Sequence, residues 1–228
     1  AVERSRMIVL MILTISTVVF WALFEQSAAS MTLFADRVMD REVFGLTLTA
    51  AQYGALNSMF IFIFAPVFAW LWTRLAMAGR EPSTPVKFAL GIAQAGLGFG
   101  ALVLGAANPD KAGLVSGYWM ILAYLLHTCG ELCLSPVGLS AVTKLAVPSV
   151  VGVMMGSWFL ATAYSEFVAA QLAKLAALDI EAGSVTDTGA ALDTYAELFS
   201  SLLWIGLGVG LLMLLLSPLL RRMMHGIH

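Results

Sequence analysis

The chain has 228 residues, of which 60% are hydrophobic and only 11% are charged, and its mean hydropathy is +0.90. This composition is too apolar for an ordinary soluble domain and indicates a membrane protein. The net charge of -2 gives no support to a protein that binds nucleic acid or another polyanion.

Six apolar segments are long enough to cross a bilayer, because about 20 residues of α-helix span roughly 30 Å of hydrocarbon. They are too long for barrel strands and lack the alternation of such strands, so their backbones must satisfy their own hydrogen bonds as helices. The predicted fold is therefore an all-α membrane protein, one bundle of six transmembrane helices. The predicted spans are 7–34, 53–73, 88–107, 114–143, 145–171 and 198–220.

The distribution of basic residues predicts the orientation of the chain, because cytoplasmic loops retain Lys and Arg. With the N-terminus inside, eight of the twelve basic residues lie on the cytoplasmic side: Arg4, Arg6, Arg74, Arg80, Lys87, Lys144, Arg221 and Arg222. We therefore expect a multi-pass protein of the cytoplasmic (inner) membrane with both termini in the cytoplasm. The longest polar stretch, 179–194, is predicted to be an exposed extracytoplasmic loop.

The first residues have no initiator Met and lead straight into the first span. They also lack the short apolar region and cleavage site of a secretory signal. We interpret them as the end of an inter-domain linker and expect a further part of the protein upstream.

Three carboxylates, Glu25, Glu131 and Glu166, lie inside apolar segments, and no Lys or Arg lies at comparable depth. Acids inside a membrane are costly and mark pathways for ions or substrates. A buried acid without a partner can take up and release a proton, as a proton carrier requires. The alternative is a neutral acid hydrogen-bonded to a neighbouring helix, and we prefer that alternative for Glu166 only.

The surroundings of Glu131 are polar on one helix face. His127 and Ser135 lie one turn before and after it, and Pro136 weakens the helix by freeing the carbonyl of Leu132. His127 is either a proton relay to Glu131 or a histidine satisfied by its neighbour at i+4. We prefer the second interpretation.

Other polar and aromatic residues have two readings each. Trp21, one turn before Glu25, is either a pocket wall or interfacial packing, and Asn57 either binds a substrate or bridges two helices. Trp158 and Phe159 are candidates for facing a cavity.

Cys129 and Cys133 have no other soft ligand near them, so neither a metal site nor a disulfide is expected. No nucleophile with a base can be assembled, which disfavours an enzyme.

The chain resembles the C-terminal half of the bacterial proton-dependent oligopeptide transporters, a branch of the major facilitator superfamily. The similarity covers four of the six predicted helices, and its segment through Lys144 is highly specific. The matching residues are 20–26, 33–37, Asn57 with 64–66, 130–146 and 155–161. The resemblance implies a transporter of two six-helix bundles, with helices seven to twelve in this chain and the N-terminal bundle outside it.

The resemblance also implies roles for individual residues. Glu131 would receive the amino group of a peptide, Asn57 would contact the peptide backbone, and Glu25 would couple transport to protonation. The implied walls of the side-chain pockets are Trp158, Phe159, Trp21 and Ser135. The implied function is proton-coupled symport of di- and tripeptides, with protons as the coupling ion and no cofactor.

Two departures from the family pattern leave details open. Ser58 stands where a proline commonly follows the asparagine, and 164–167 replaces a Gly-Asn pair, which puts the role of Glu166 in doubt. The sequence also allows two alternatives to peptide transport. One is a related carrier of another small metabolite or anion, and the other is a membrane scaffold or assembly subunit that does not transport.

Overall fold

The structure is a computed structural model that describes residues 2–177 and 188–227. Its first helix, α1, covers Val2–Phe24 and is followed by one 3-10 turn at Glu25–Ala28 and by the short helix α2 at Ser30–Arg37. Our predicted span 7–34 lies within this region, and the helical hydrogen bonding changes inside it, at Glu25.

Polar side chains occupy this interruption. The buried amide of Gln26 donates to the Ala169 carbonyl on a later helix at 2.9 Å, and Ser30 donates to Gln26 Oε1 at 2.8 Å. These bonds give the 3-10 turn partners outside the regular helix ladder. Because Gln26 is bonded to the later helix, the neighbouring Glu25 is held beside that helix.

The remaining helices follow in chain order. They are α3 (Ala55–Met77, preceded by a 3-10 turn at Ala50–Gly54), α4 (Thr84–Ala106), α5 (Gly117–Leu145), α6 (Val151–Ala177) and α7 (Thr188–Met223). Four two-residue strands join the loops: β1 (Met39–Asp40) pairs parallel with β4 (Val115–Ser116), and β2 (Glu42–Val43) pairs antiparallel with β3 (Leu46–Thr47). By length and composition, five helical segments within the described ranges can cross a membrane: 2–37, 50–77, 84–106, 117–145 and 188–223.

Two predicted boundaries are wrong. Our fifth span began at Leu145, but that residue ends α5, and Pro148–Val150 forms a 3-10 turn before α6. Proline disfavours a helical conformation in the residue before it, and Val147 is accordingly extended, with ψ of 134°. The predicted loop 179–194 is helical from Thr188 onward, where Ala191 and Leu192 are buried. Its first part, 179–187, lies outside the described residues.

The core is centred on α4, which packs along both α5 and α7. Glycines allow these helices to approach closely: a Cβ on Gly96 would lie 3.0 Å from Gly206 Cα, and one on Gly91 would lie 2.8 Å from the Gly130 carbonyl oxygen. In contrast, Phe60 is the one buried residue of α3, a helix that the structure describes completely. One long face of α3 is thus left uncovered by this bundle.

Candidate functional site

Three polar residues connect α3 with α5. The amide nitrogen of Asn57 donates to Glu131 Oε2 at 3.0 Å and to Thr128 Oγ1 at 3.1 Å. The Thr128 hydroxyl is fully buried and donates in turn to the Tyr124 carbonyl at 2.8 Å. We call Asn57, Thr128 and Glu131 the amide-acid cluster.

Local sequence explains why these side chains meet. Thr128 and Glu131 are three residues apart on α5, so they lie on one helix face. Asn57 lies in the first turn of α3. The preceding 3-10 turn is fixed by a capping box, in which Gln52 Oε1 accepts from the Thr49 backbone N–H at 2.8 Å.

The cluster leaves part of its acid available. Glu131 is half-buried, and in the described part of the chain its Oε1 accepts no hydrogen bond. An oxygen of a partly buried carboxylate that is held by an amide on one side can accept a hydrogen bond from a cationic ligand on the other. Asn57 and Glu131 were predicted from the sequence and Thr128 was not, although its spacing of three residues from Glu131 places both on one helix face.

Glu166 and Glu131 each lie close enough to Glu25 to act on the charge of its carboxylate. Glu25 is half-buried, whereas Glu166 is exposed on α6. Within residues 2–177 and 188–227, the Glu25 carboxylate has no hydrogen bond and no ion pair. The ion pairs in those ranges lie elsewhere, between Arg41 and Asp36 and between Lys87 and Glu81. An acidic region without a neighbouring cation therefore lies on this side of the bundle.

The predicted pocket walls occupy different environments. Trp21 is half-buried and packs edge to face against Phe24, with ring centroids 5.2 Å apart. Ser135 is half-buried, and Phe159 is 60% exposed. Trp158 is only 4% exposed, because its ring lies against Phe88 and Gly138. A role for these four residues in side-chain pockets stays a prediction.

His127 has a different partner from the one we preferred. Its ring is fully buried, and Nε2 donates to the Ala95 carbonyl on α4 at 2.9 Å, not to Glu131 at i+4. The ring also packs edge to face against Phe99 at 4.9 Å. Its Nδ1 has no partner among the described residues. His127 thus joins α4 to α5 behind the amide-acid cluster.

The two cysteines do not form a disulfide, and the Cys133 sulfur accepts a long hydrogen bond from Gln94 at 3.5 Å. In the part of the chain that the structure describes, no three His, Cys, Asp or Glu side chains are grouped as metal ligands. The chemistry available to the site is hydrogen bonding, charge recognition and proton transfer by its carboxylates.

Comparison with known proteins identifies the family. Residues 1–186 match the family model described as PTR2, the POT family. The chain belongs to the POT family. Members of this family are transporters and not enzymes. The resemblance stated from the sequence is thereby confirmed, and the chain is part of a multi-pass membrane protein.

Three relatives show how much of a POT transporter the chain represents. The uncharacterized transporter YclF of Bacillus subtilis is 40% identical over 227 residues, which make up 99% of this chain and 42% of YclF. Dipeptide and tripeptide permease A of Edwardsiella piscicida is 36% identical over 98% of this chain and 44% of the permease. The peptide transporter YePEPT of Yersinia enterocolitica is 39% identical over 73% of this chain and 33% of the transporter. The chain therefore spans less than half the length of these relatives.

Solved POT structures share the fold. The crystal structure of the peptide transporter POT in complex with sulfate matches with a TM-score of 0.84 and 36% identity, over 99% of this chain and 42% of that one. A POT family transporter in complex with a thioalcohol-conjugated peptide matches with a TM-score of 0.82 and 29% identity, over 96% of this chain and 42% of that one. The predicted all-α membrane bundle is confirmed.

Proposed function

We propose that this chain is the C-terminal half of a proton-coupled transporter of di- and tripeptides. The observation that carries the proposal is the amide-acid cluster, in which Asn57 donates to one oxygen of Glu131 and the other oxygen accepts no hydrogen bond from a described residue. A peptide ammonium group at that oxygen would form a charge-assisted hydrogen bond, which is roughly twice as strong as a neutral one. The relatives named as dipeptide and tripeptide permeases support this substrate class.

A peptide is a zwitterion and needs a cation at its other end. Membrane-depth basic residues are lacking in the described part of this chain, where Lys87 already pairs with Glu81. We therefore assign the group that binds the peptide carboxylate to the N-terminal bundle of the full transporter. The peptide would lie between the two bundles.

Glu25 is the proposed coupling group. It has no ion-pair partner in residues 2–177 and 188–227, and it is repelled by Glu166 and Glu131. A basic residue of the N-terminal bundle would relieve this repulsion by pairing with Glu25. Protonation of Glu25 would break the pair and let the two bundles rock, as alternating access requires.

The proposed location is the cytoplasmic membrane, with both termini in the cytoplasm. The support is the excess of Lys and Arg in the segments on that side, where Arg221 and Arg222 follow the last apolar span. Cysteines introduced at the two ends of the chain would test it. An impermeant thiol reagent reacts only with outward-facing cysteines in intact cells, so neither introduced cysteine should react.

Glu131→Gln in the full transporter tests the substrate assignment. The neutral amide keeps the shape of the side chain but loses the charge, so dipeptide affinity should fall about tenfold or more. Binding is measured by isothermal titration in detergent. Glu42→Gln, an exposed acid of β2, is the control and should bind like wild type.

Wild-type affinity in the Glu131→Gln variant would rule out the assignment. If neither variant nor wild type binds any dipeptide, a carrier of another metabolite or a scaffold subunit becomes the better account.

A further inference from the structure

A cavity with polar walls lies away from the amide-acid cluster, between the loop before α4 and the end of α7. It has a volume of about 670 Å³, in the range of ligand pockets. Its polar wall is formed by Arg221 and Arg222 of α7, by the hydroxyl of Ser83 before α4 and by Ser217. No part of the amide-acid cluster lines it.

The charge of this cavity is positive. Neither Arg221 nor Arg222 forms a hydrogen bond or an ion pair through its side chain within the described ranges, and both are exposed. The acid at the rim, Glu81, is neutralised by the buried Lys87, which also lies over the ring of Trp72. Two guanidinium groups are thus left to face the cavity without a counter-charge.

The segment that follows α7 has a basic partner of its own. Arg6 of α1 donates to the Met224 and His225 carbonyls, which come directly after the helix, each at 3.4 Å. The side chains of the two cavity arginines take no part in these bonds. Their charge is available to a ligand.

The apolar surroundings point to a ligand with a hydrocarbon part. Leu215 and Leu219 are 69% and 55% exposed, and they precede Arg222 by seven and three residues, which places all three on one face of α7. Val86 and Pro218 complete an apolar wall of the cavity. A lipid whose phosphate lies between the arginines would lay its acyl chains along these leucines.

We propose that this cavity binds the phosphate headgroup of an anionic phospholipid from the cytoplasmic leaflet. Guanidinium groups bind phosphate oxygens with two parallel N–H bonds, and basic pockets between membrane helices on the cytoplasmic side suit anionic headgroups. The proposal rests on the orientation proposed above. It is independent of the peptide site, because lipid binding requires neither Glu131 nor transport.

The test measures lipid binding to the full transporter in detergent by native mass spectrometry, with phosphatidylglycerol and phosphatidylcholine as probes. Wild type should retain one phosphatidylglycerol in clear preference to phosphatidylcholine. Arg221→Gln with Arg222→Gln should weaken phosphatidylglycerol binding about thirtyfold, since each basic residue near the surface contributes on the order of a fivefold effect. The control removes two exposed charges from the same side, Arg4→Gln with Arg80→Gln, and should keep wild-type binding.

Three outcomes would overturn the proposal. One is an equal loss in both double variants, which would mean diffuse attraction to the whole charged side. Another is a wild-type protein without preference between the two lipids. The last is full displacement of the lipid by millimolar inorganic phosphate, which would assign the arginines to a soluble phosphate ligand.

Discussion

At the scale of single residues, Thr128 holds the Asn57 amide beside Glu131, the proposed partner of the peptide ammonium group. Its hydroxyl donates to the Tyr124 carbonyl and accepts from the Asn57 amide, so it sets the position of that amide beside Glu131. A buried hydroxyl with both bonds made has little freedom to rotate. Thr128 is therefore a positioning residue for the amide-acid cluster.

Thr128→Val should weaken dipeptide binding by the full transporter about fivefold, because one hydrogen bond to Asn57 is lost while shape and β-branching are kept. The measurement is a dipeptide titration alongside a thermal unfolding curve. Thr128→Ser, which retains the hydroxyl, should recover most of the affinity. Equal affinities for the valine and serine variants would show that the hydroxyl does not position Asn57.

Glu25→Gln should stop the accumulation of peptide driven by a pH gradient, because an amide cannot take up the coupling proton. Exchange of peptide across the membrane should continue, since it needs no net proton movement. Both rates are measured in proteoliposomes that contain the full transporter. Accumulation at the wild-type rate would exclude Glu25 as the coupling group, and Glu42→Gln serves again as the control.

At the scale of helices, the contact between α4 and α7 depends on two facing glycines. A Cβ on Gly206 would come within 2.5 Å of Gly96 Cα and 2.8 Å of its nitrogen, and these are backbone atoms that cannot rotate away. Gly208 lies two residues further along α7 and faces open space, with nothing within 4 Å of such a Cβ. Glycine-to-alanine substitution changes helix propensity in the same way at both positions, but it disturbs the packing of α4 against α7 only at Gly206.

Gly206→Ala should destabilise the folded bundle by about 1–3 kcal/mol through overpacking, and Gly208→Ala should leave it unchanged or slightly more stable. The measurement is the midpoint of thermal unfolding in a fixed detergent. Equal midpoints for the two variants would contradict the close approach of α4 and α7.

The interruption of the first helix is also an element-scale feature. Gln26 ties the 3-10 turn to α6 through the Ala169 carbonyl, so Glu25 and Glu166 are brought near each other across two helices. If Glu25 is the coupling group, as proposed, a change in its charge acts next to a contact between the 3-10 turn and α6.

At the scale of the whole molecule, the described residues form a continuous buried core, but none of their Lys or Arg side chains pairs with Glu25, Glu131 or Glu166. The core runs from Leu10 and Leu13 of α1 through Phe88 and Phe99 of α4 to Phe199 of α7. Such a core can support a folded bundle without the rest of the transporter. Transport needs a second bundle to rock against.

These 228 residues alone should therefore unfold cooperatively in detergent but should not accumulate peptide in liposomes under an inward proton gradient. Uptake of a labelled dipeptide and a thermal unfolding curve are the two measurements, with the full transporter as the positive control for uptake. Saturable uptake by the fragment would contradict the two-bundle proposal and would point to a dimer of the chain as the transporting unit.

Much of this architecture could be predicted from the sequence, because the length and hydropathy of a segment identify it as a membrane helix. The acids Glu25 and Glu131 stood out for the same reason, since a charge inside an apolar run is rare. The ends of helices were less predictable. Apolar content does not report the change to 3-10 bonding at Glu25, nor the helical start at Thr188 within a polar stretch.

The sequence by itself determined the family, the helical fold class and the acids that are candidates for function. Only the tertiary structure decided which side chains meet: Asn57 with Thr128 and Glu131, His127 with Ala95, and Gln26 with Ala169. Each of these contacts joins two helices that are distant in sequence. Periodicity along a chain describes one helix face at a time, whereas a binding site depends on how two faces are aligned, and that alignment is fixed by close packing between helices.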